Sequence, residues 1–172
     1  MSTKYRFLLA TSTAAAVSLL AGCASVADVK PGTPYKQVVD QFGNPAVSCP
    51  ESGGGTRMIW TQEPSGEQAW ATNVGANKLV GPFSQVLTKS AFEQLNQGQW
   101  TAGTVRCAFG PPATMKVFPD NQNQIVWEYH YLGSGVNYDM LYVTFDRATN
   151  NMVSYTTSMD PDRNPLLMGG GR

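Results

Sequence analysis

The chain reads as an α+β protein built from two tandem copies of one unit, each a helix followed by three antiparallel strands with helices packed on one face of the sheet. Three observations point there: a Phe-Gly…Trp framework is written twice, each copy opens on an apolar helical face closed by Gly and Pro, and alternating apolar strands follow. Phe42-Gly43 and Phe109-Gly110 lie 67 residues apart, and so do Trp60 and Trp127. The leading glycines, Gly32 and Gly98, are 66 apart, so one residue is gained or lost near the helix start. A period this long marks a duplicated small domain rather than a solenoid.

In the first copy Thr33 stands as a capping hydroxyl before Pro34 at the first helical position. Tyr35, Val38, Val39 and Phe42 follow the i, i+3, i+4, i+7 spacing of one buried face, and Gly43 and Pro45 stop the helix. Arg57 to Thr61, Gln68 to Asn73 and Lys78 to Leu87 are the strands expected after it. The second copy begins with a short helix at Ser90-Ala91-Phe92-Glu93, which has the form of a capping box, with Phe92 and Leu95 turned inward. Thr101 caps the next helix, whose inner face is Val105, Ala108 and Phe109 and whose end is Gly110-Pro111-Pro112. Ile125, Trp127, Tyr129 and Tyr131 alternate with Val126, Glu128 and His130, which predicts a strand with one aromatic and one mostly polar face. Leu141, Val143 and Phe145 form a second such strand, and a turn at 147–151 leads into Met152 to Thr157. Side by side, the copies would make one larger sheet with helices over one face.

The amino terminus predicts export. Lys4 and Arg6 precede an uncharged, mostly apolar or small stretch from Phe7 to Leu20, the make-up of a secretory signal and too short to span a bilayer as a helix. Leu20-Ala21-Gly22-Cys23 looks like a bacterial lipobox. That resemblance implies cleavage before Cys23, a diacylglyceryl group on its thiol and a fatty acyl chain such as palmitate on its amine. Ala24, where inner-membrane retention favours Asp, resembles a lipoprotein sorted to the outer membrane, which places the protein at its periplasmic face. The expected organisation is signal peptide 1–22, lipidated linker 23–31, first repeat 32–88, second repeat 89–160 and flexible tail 161–172.

Without residues 1–22 the chain carries ten Lys and Arg against twelve Asp and Glu, a net charge of −2, and no basic run, which argues against nucleic acid. The full sequence's 17 Gly, 11 Pro and low charge fit a turn-rich exported domain. Cys49 and Cys107 lie in different copies. An even pair in an oxidising compartment is expected to be a disulfide, which would staple the copies; two separate buried thiols are the alternative.

The segment from about Ser90 to Asp160 resembles the SmpA/OmlA/BamE lipoprotein family. The residues that carry the resemblance are Gly98, Thr101, Val105, Phe109, Gly110, Pro112, Trp127, Tyr129, Phe145, Asp146 and Val153. The tandem arrangement resembles the β-lactamase inhibitory protein. These are structural motifs, so they speak for fold before function. The first resemblance implies a non-enzymatic scaffold or accessory factor in outer-membrane β-barrel or envelope assembly. The second implies a protein-binding inhibitor or ligand-binding module.

Little in the chain suggests catalysis, a metal or a cofactor. His130 is the sole histidine and, beside Glu128 on a polar strand face, is expected to be solvated. No His/Cys/Asp/Glu run has metal-ligand spacing. Gly53-Gly54-Gly55 and Gly169-Gly170-Gly171 precede no Lys-Ser/Thr pair and read as loop and tail, and Asp160-Pro161-Asp162 reads as a turn before a calcium site. Of the four tryptophans, Trp60 and Trp127 at equivalent strand positions are expected in the core. Trp70 and Trp100, outside the framework, are the candidate anchors for a protein partner.

Overall fold

The computed structural model describes residues 24–133 and 137–163. Cys23 with the expected signal segment, and the tail from residue 164, lie outside the described residues. A 3₁₀ turn at Val26–Asp28 is followed by helix α1 (Tyr35–Phe42) and strands β1 (Val47–Pro50), β2 (Thr56–Thr61), β3 (Ala69–Val74) and β4 (Ser84–Gln85). The second unit has α2 (Lys89–Phe92) running into a 3₁₀ turn at Glu93–Asn96, then α3 (Ala102–Phe109), β5 (Thr114–Phe118), β6 (Asn121–Leu132), β7 (Tyr138–Asp146) and β8 (Met152–Met159). Among the described residues no helix is long and apolar enough to cross a membrane.

The class is α+β, as expected, but each unit has four strands instead of three. They form two separate antiparallel sheets, β1-β2-β3-β4 and β5-β6-β7-β8, not one continuous sheet. The reason is visible in β2, where Met58, Ile59 and Trp60 are all buried. A strand with three consecutive buried apolar residues has something packed on both faces. On one face Met58, Trp60 and Val74 meet Val38 of α1, with Phe42 against them. On the other, Val47, Ile59, Ala69 and Ala71 share a core with Val105 and Phe109 of α3. The far side of α3 meets the second sheet: Phe109 packs edge-on against Tyr129, and Phe92 of α2 against Tyr131, with ring centroids 6.4 and 4.9 Å apart. The layers therefore run α1, first sheet, α2 and α3, second sheet.

Small residues let α3 sit close. Ala69 and Ala71 present no bulk, and a Cβ on Gly110 would lie 3.4 Å from Ile59 Cγ2. Gly110 has φ +94° and Gly43, ending α1, has φ +78°, so each glycine supplies the positive φ its helix end requires. Arg57 of β2 donates from Nε to the carbonyl of Cys107 (2.9 Å) and from a terminal nitrogen to that of Ala108 (3.2 Å), satisfying carbonyls in the last turn of α3. Directly opposite Arg57 in the sheet, Cys49 of β1 is disulfide-bonded to Cys107 with Cα atoms 5.9 Å apart, joining the two units as the staple expected.

Two caps differ from the sequence reading. Thr33 does not cap α1; its hydroxyl donates to the carbonyl of Lys30 (2.7 Å), because Pro34 is still bridged to Leu79 and the helix starts after it. The short helix is capped by Thr88, which accepts from Ala91 N (3.2 Å), two residues before the expected Ser90. Thr101 caps α3 as read, in a reciprocal box with Thr104.

Candidate functional site

Three places on this frame hold chemistry. The first is the face of the second sheet turned away from the helices. Residues directly opposed in an antiparallel pair share a face. The registers Thr114 with Glu128, Lys116 with Val126, Glu128 with Tyr142 and His130 with Met140 therefore place all of these on one side. The turn at 160–163 folds over them and closes a cavity of about 300 Å³. Within it Glu128, 7% exposed at its side chain, accepts from the Thr114 hydroxyl (2.5 Å) and from Lys116 Nζ (2.8 Å). The Glu128 carboxylate raises the Lys116 pKa by holding its ammonium in a hydrogen bond. Asp160 is buried and accepts from Asp162 N (2.8 Å), the turn read from Asp160-Pro161-Asp162. Arg163 ties that turn to the first unit through Glu67 (2.5 Å).

His130 is not the solvated strand histidine expected. Its side chain is 16% exposed, and Nδ1 lies 2.9 Å from Oε2 of Glu63, a residue of the β2–β3 loop whose side chain is 1% exposed. The other Glu63 oxygen accepts the main-chain N–H of His130 (2.5 Å). The geometry of β5 explains this. That strand begins at Thr114, opposite Glu128, so the β6 edge two residues further on has no strand to accept its N–H, and the Glu63 carboxylate takes that place. Burial pushes the Glu63 pKa up, against the hydrogen bonds from His130 that pull it down. Glu63 and His130 are 67 residues apart, the repeat period itself. A signal for the pair was therefore present: equal offsets of three from Trp60 and Trp127.

The carboxylates of Glu63, Glu128 and Asp160 each hold a neighbour in the chain. The Thr114 hydroxyl donates to the Glu128 carboxylate, which Lys116 also holds. Among the described residues no three His, Cys, Asp or Glu are grouped so as to hold a metal ion. The cluster is a clamp, joining the first unit's loop, the second sheet and the turn at 160–163.

The second place is the edge of the second sheet. Among the described residues β5 has a hydrogen-bonded neighbour on one side only. All five of its residues are exposed, including Met115 (61%), Val117 (42%) and Phe118 (47%). Sequence reading passed over this strand, although Val117-Phe118 between Pro112 and Pro119 is an apolar pair bracketed by breakers.

The third is a cavity of about 420 Å³ between the amino-terminal turn and the α1 side of the first sheet, with Trp70 in its wall. The four tryptophans sort unevenly. Trp60 is core, its Nε1 donating to Gly43 O (3.0 Å), and Trp127 is half-buried against Phe145 at 4.8 Å. Trp100, a candidate anchor, stacks on Phe109 and donates to the carbonyls of Gln94 and Gln97, so much of it serves the fold. Trp70, the other candidate, is half-buried, and its Nε1 is buried without a hydrogen-bond partner. Comparison with protein-family models, curated proteins and solved structures returns no match, so fold and site rest on the chain's own residues.

Proposed function

We propose that this protein is an outer-membrane lipoprotein, anchored through Cys23 at the periplasmic face, that acts without catalysis as an accessory factor in envelope or β-barrel assembly by binding another protein. The observation that carries the binding part is β5. An edge strand presents a row of unpaired N–H and C=O groups, and exported proteins usually guard such edges with charge, proline or a cover. Here a single Lys116 stands among Met115, Val117 and Phe118, which suits the addition of an extended segment from a partner, with main-chain bonds giving affinity and alternate side chains specificity. The lipobox-like Leu20-Ala21-Gly22-Cys23 supports the anchor. Two or more acyl chains hold a protein to a membrane, where one of ~14 carbons binds only marginally.

The test is crosslinking in intact envelopes, comparing wild type with Met115→Lys and Phe118→Glu, each checked by thermal melt. Both side chains are exposed, so the fold should tolerate the change while a crosslinked assembly protein disappears. Unchanged crosslinks in both variants would remove β5 from the account. A soluble periplasmic enzyme as the crosslinked species would favour the inhibitor reading over the assembly one.

A further inference from the structure

The clamp leaves two acceptors unused on the outer face of the second sheet. Glu63 Oε2 faces Nδ1 of His130 at 2.9 Å, and a carboxylate there keeps the ring proton on Nδ1, so Nε2 carries a lone pair. Two residues earlier on β6, and on the same face, stands Glu128. Thr114 and Lys116 both meet its Oε2, at 2.5 and 2.8 Å. Among the described residues no hydrogen bond reaches the other oxygen, Oε1, or the Nε2 of His130.

Neither atom is sealed off. The one buried side-chain nitrogen or oxygen that lacks a partner among the described residues is on Trp70, so Oε1 and Nε2 both reach open space. Glu128 and His130 line the cavity of about 300 Å³ beneath the turn at 160–163 and Glu63 does not, so the imidazole meets that space with the edge away from Nδ1. The volume stands at the lower end of the ~300–1,000 Å³ of small-molecule sites. The charges around it select the ligand. Lys116 and Arg163 stand in the walls against Glu128, Asp160 and Asp162. Both cations are already held by carboxylates, Lys116 by Glu128 and Arg163 by Glu67 (2.5 Å), with Asp160 3.7 Å away. An anion would therefore face three carboxylates with no cation to spare among these walls. A metal ion would find no three suitable ligands grouped among the described residues. A cation that brings its own N–H donors fits both acceptors, and Met140, Tyr142 and Pro161 give a short carbon chain an apolar wall.

We propose that this cavity binds a small primary alkylammonium ion, whose N–H groups donate to Oε1 of Glu128 and Nε2 of His130. A hydrogen bond to the ionised Glu128 is the stronger of the two. Lys116 is then an internal competitor, because its ammonium holds the second oxygen of the same carboxylate and repels another cation. The site is independent of partner binding at β5, whose exposed Met115 and Phe118 it does not use.

The experiment is calorimetric titration of the full chain with n-butylammonium at neutral pH and fixed ionic strength, with butyrate and 1-butanol as probes of the same length. Butylammonium should saturate one site while the other two give no saturable heat. Glu128→Gln should weaken it about tenfold, the loss of one charged hydrogen bond. His130→Asn keeps an N–H for Glu63 and puts nothing in place of Nε2, and should weaken it about fivefold. Lys116→Met should tighten it about fivefold by removing the competitor. Thermal melts confirm that each variant is folded, and if Glu128→Gln is not, the His130 and Lys116 variants decide. Saturation by butyrate in place of butylammonium, no saturable heat with butylammonium, or weaker binding in Lys116→Met overturns the proposal.

Discussion

Replacing Glu63 by alanine removes the acceptor that two donors of His130 share. The main-chain N–H of His130 would be left at a strand edge that β5 does not reach, and Nδ1 would lose the oxygen 2.9 Å away. Leaving a buried donor unsatisfied costs about 1–3 kcal/mol. With two donors affected and the second 16% exposed at its side chain, the loss should be about 3 kcal/mol. Glu63→Gln keeps an amide oxygen for the main-chain N–H and should lose about 1 kcal/mol at neutral pH. Urea unfolding of wild type, Glu63→Ala, His130→Ala and the double variant measures the two losses and their coupling, which should be about 1–2 kcal/mol for groups in direct contact. A Glu63→Ala variant within about 0.5 kcal/mol of wild type, the range of ordinary surface changes, would refute the clamp.

The same carboxyl has a pH signature. Burial raises its folded-state pKa above an unfolded value of about 4.3, so the unfolded chain releases the proton first. Stability from this group is full below the unfolded value and lost as pH rises through the folded one. In that window wild type should lose up to about 1.4 kcal/mol per pH unit more than Glu63→Gln, and equal slopes would contradict the assignment. Reducing or replacing the Cys49–Cys107 bond, which closes a separation of 58 residues, should lower stability by about 4 kcal/mol in the chain-entropy model, read from the denaturation midpoint of Cys49→Ser/Cys107→Ser. Gly43→Ala and Gly110→Ala should each cost about 1–3 kcal/mol for the positive φ. The two costs should be similar, because the added Cβ meets only ordinary contact at Gly110 and open space at Gly43, and thermal melts compare them.

How much of this could be read from the residues follows from what leaves a periodic trace. The inner face of α1, the apolar positions of α3 and the alternation through β6 and β7 were legible because their apolar residues recur at helical or strand spacing. β1 and β5 were not. Val47 to Pro50 is four residues ending in a proline, and Thr114 to Phe118 is exposed throughout, so no burial pattern marks it. The separation into two sheets was written in Met58-Ile59-Trp60, a run that half-buried strands do not show. The two-unit organisation could be seen from the doubled Phe-Gly…Trp framework. The Glu63–His130 clamp is a contact across the repeats and leaves no local pattern, so His130 looked solvated when read with its neighbours alone.

The stacking order has a further consequence for how the outer face of the second sheet differs from that of the first. The second unit's helices lie on the back of the first unit's sheet, a head-to-tail arrangement that no symmetry closes and that is free in principle to add copies indefinitely. What stops it is the back of the second sheet. Where the first sheet offers Ile59 and Thr61 to its neighbour's helix, the positions 67 residues on are Val126 and Glu128, and the surface around them is polar and roofed by the turn at 160–163. Repeat proteins need a terminal unit whose outer face refuses another copy. In this chain the second unit presents such a face, with the Glu128–Lys116 ion pair where the first sheet offers Thr61.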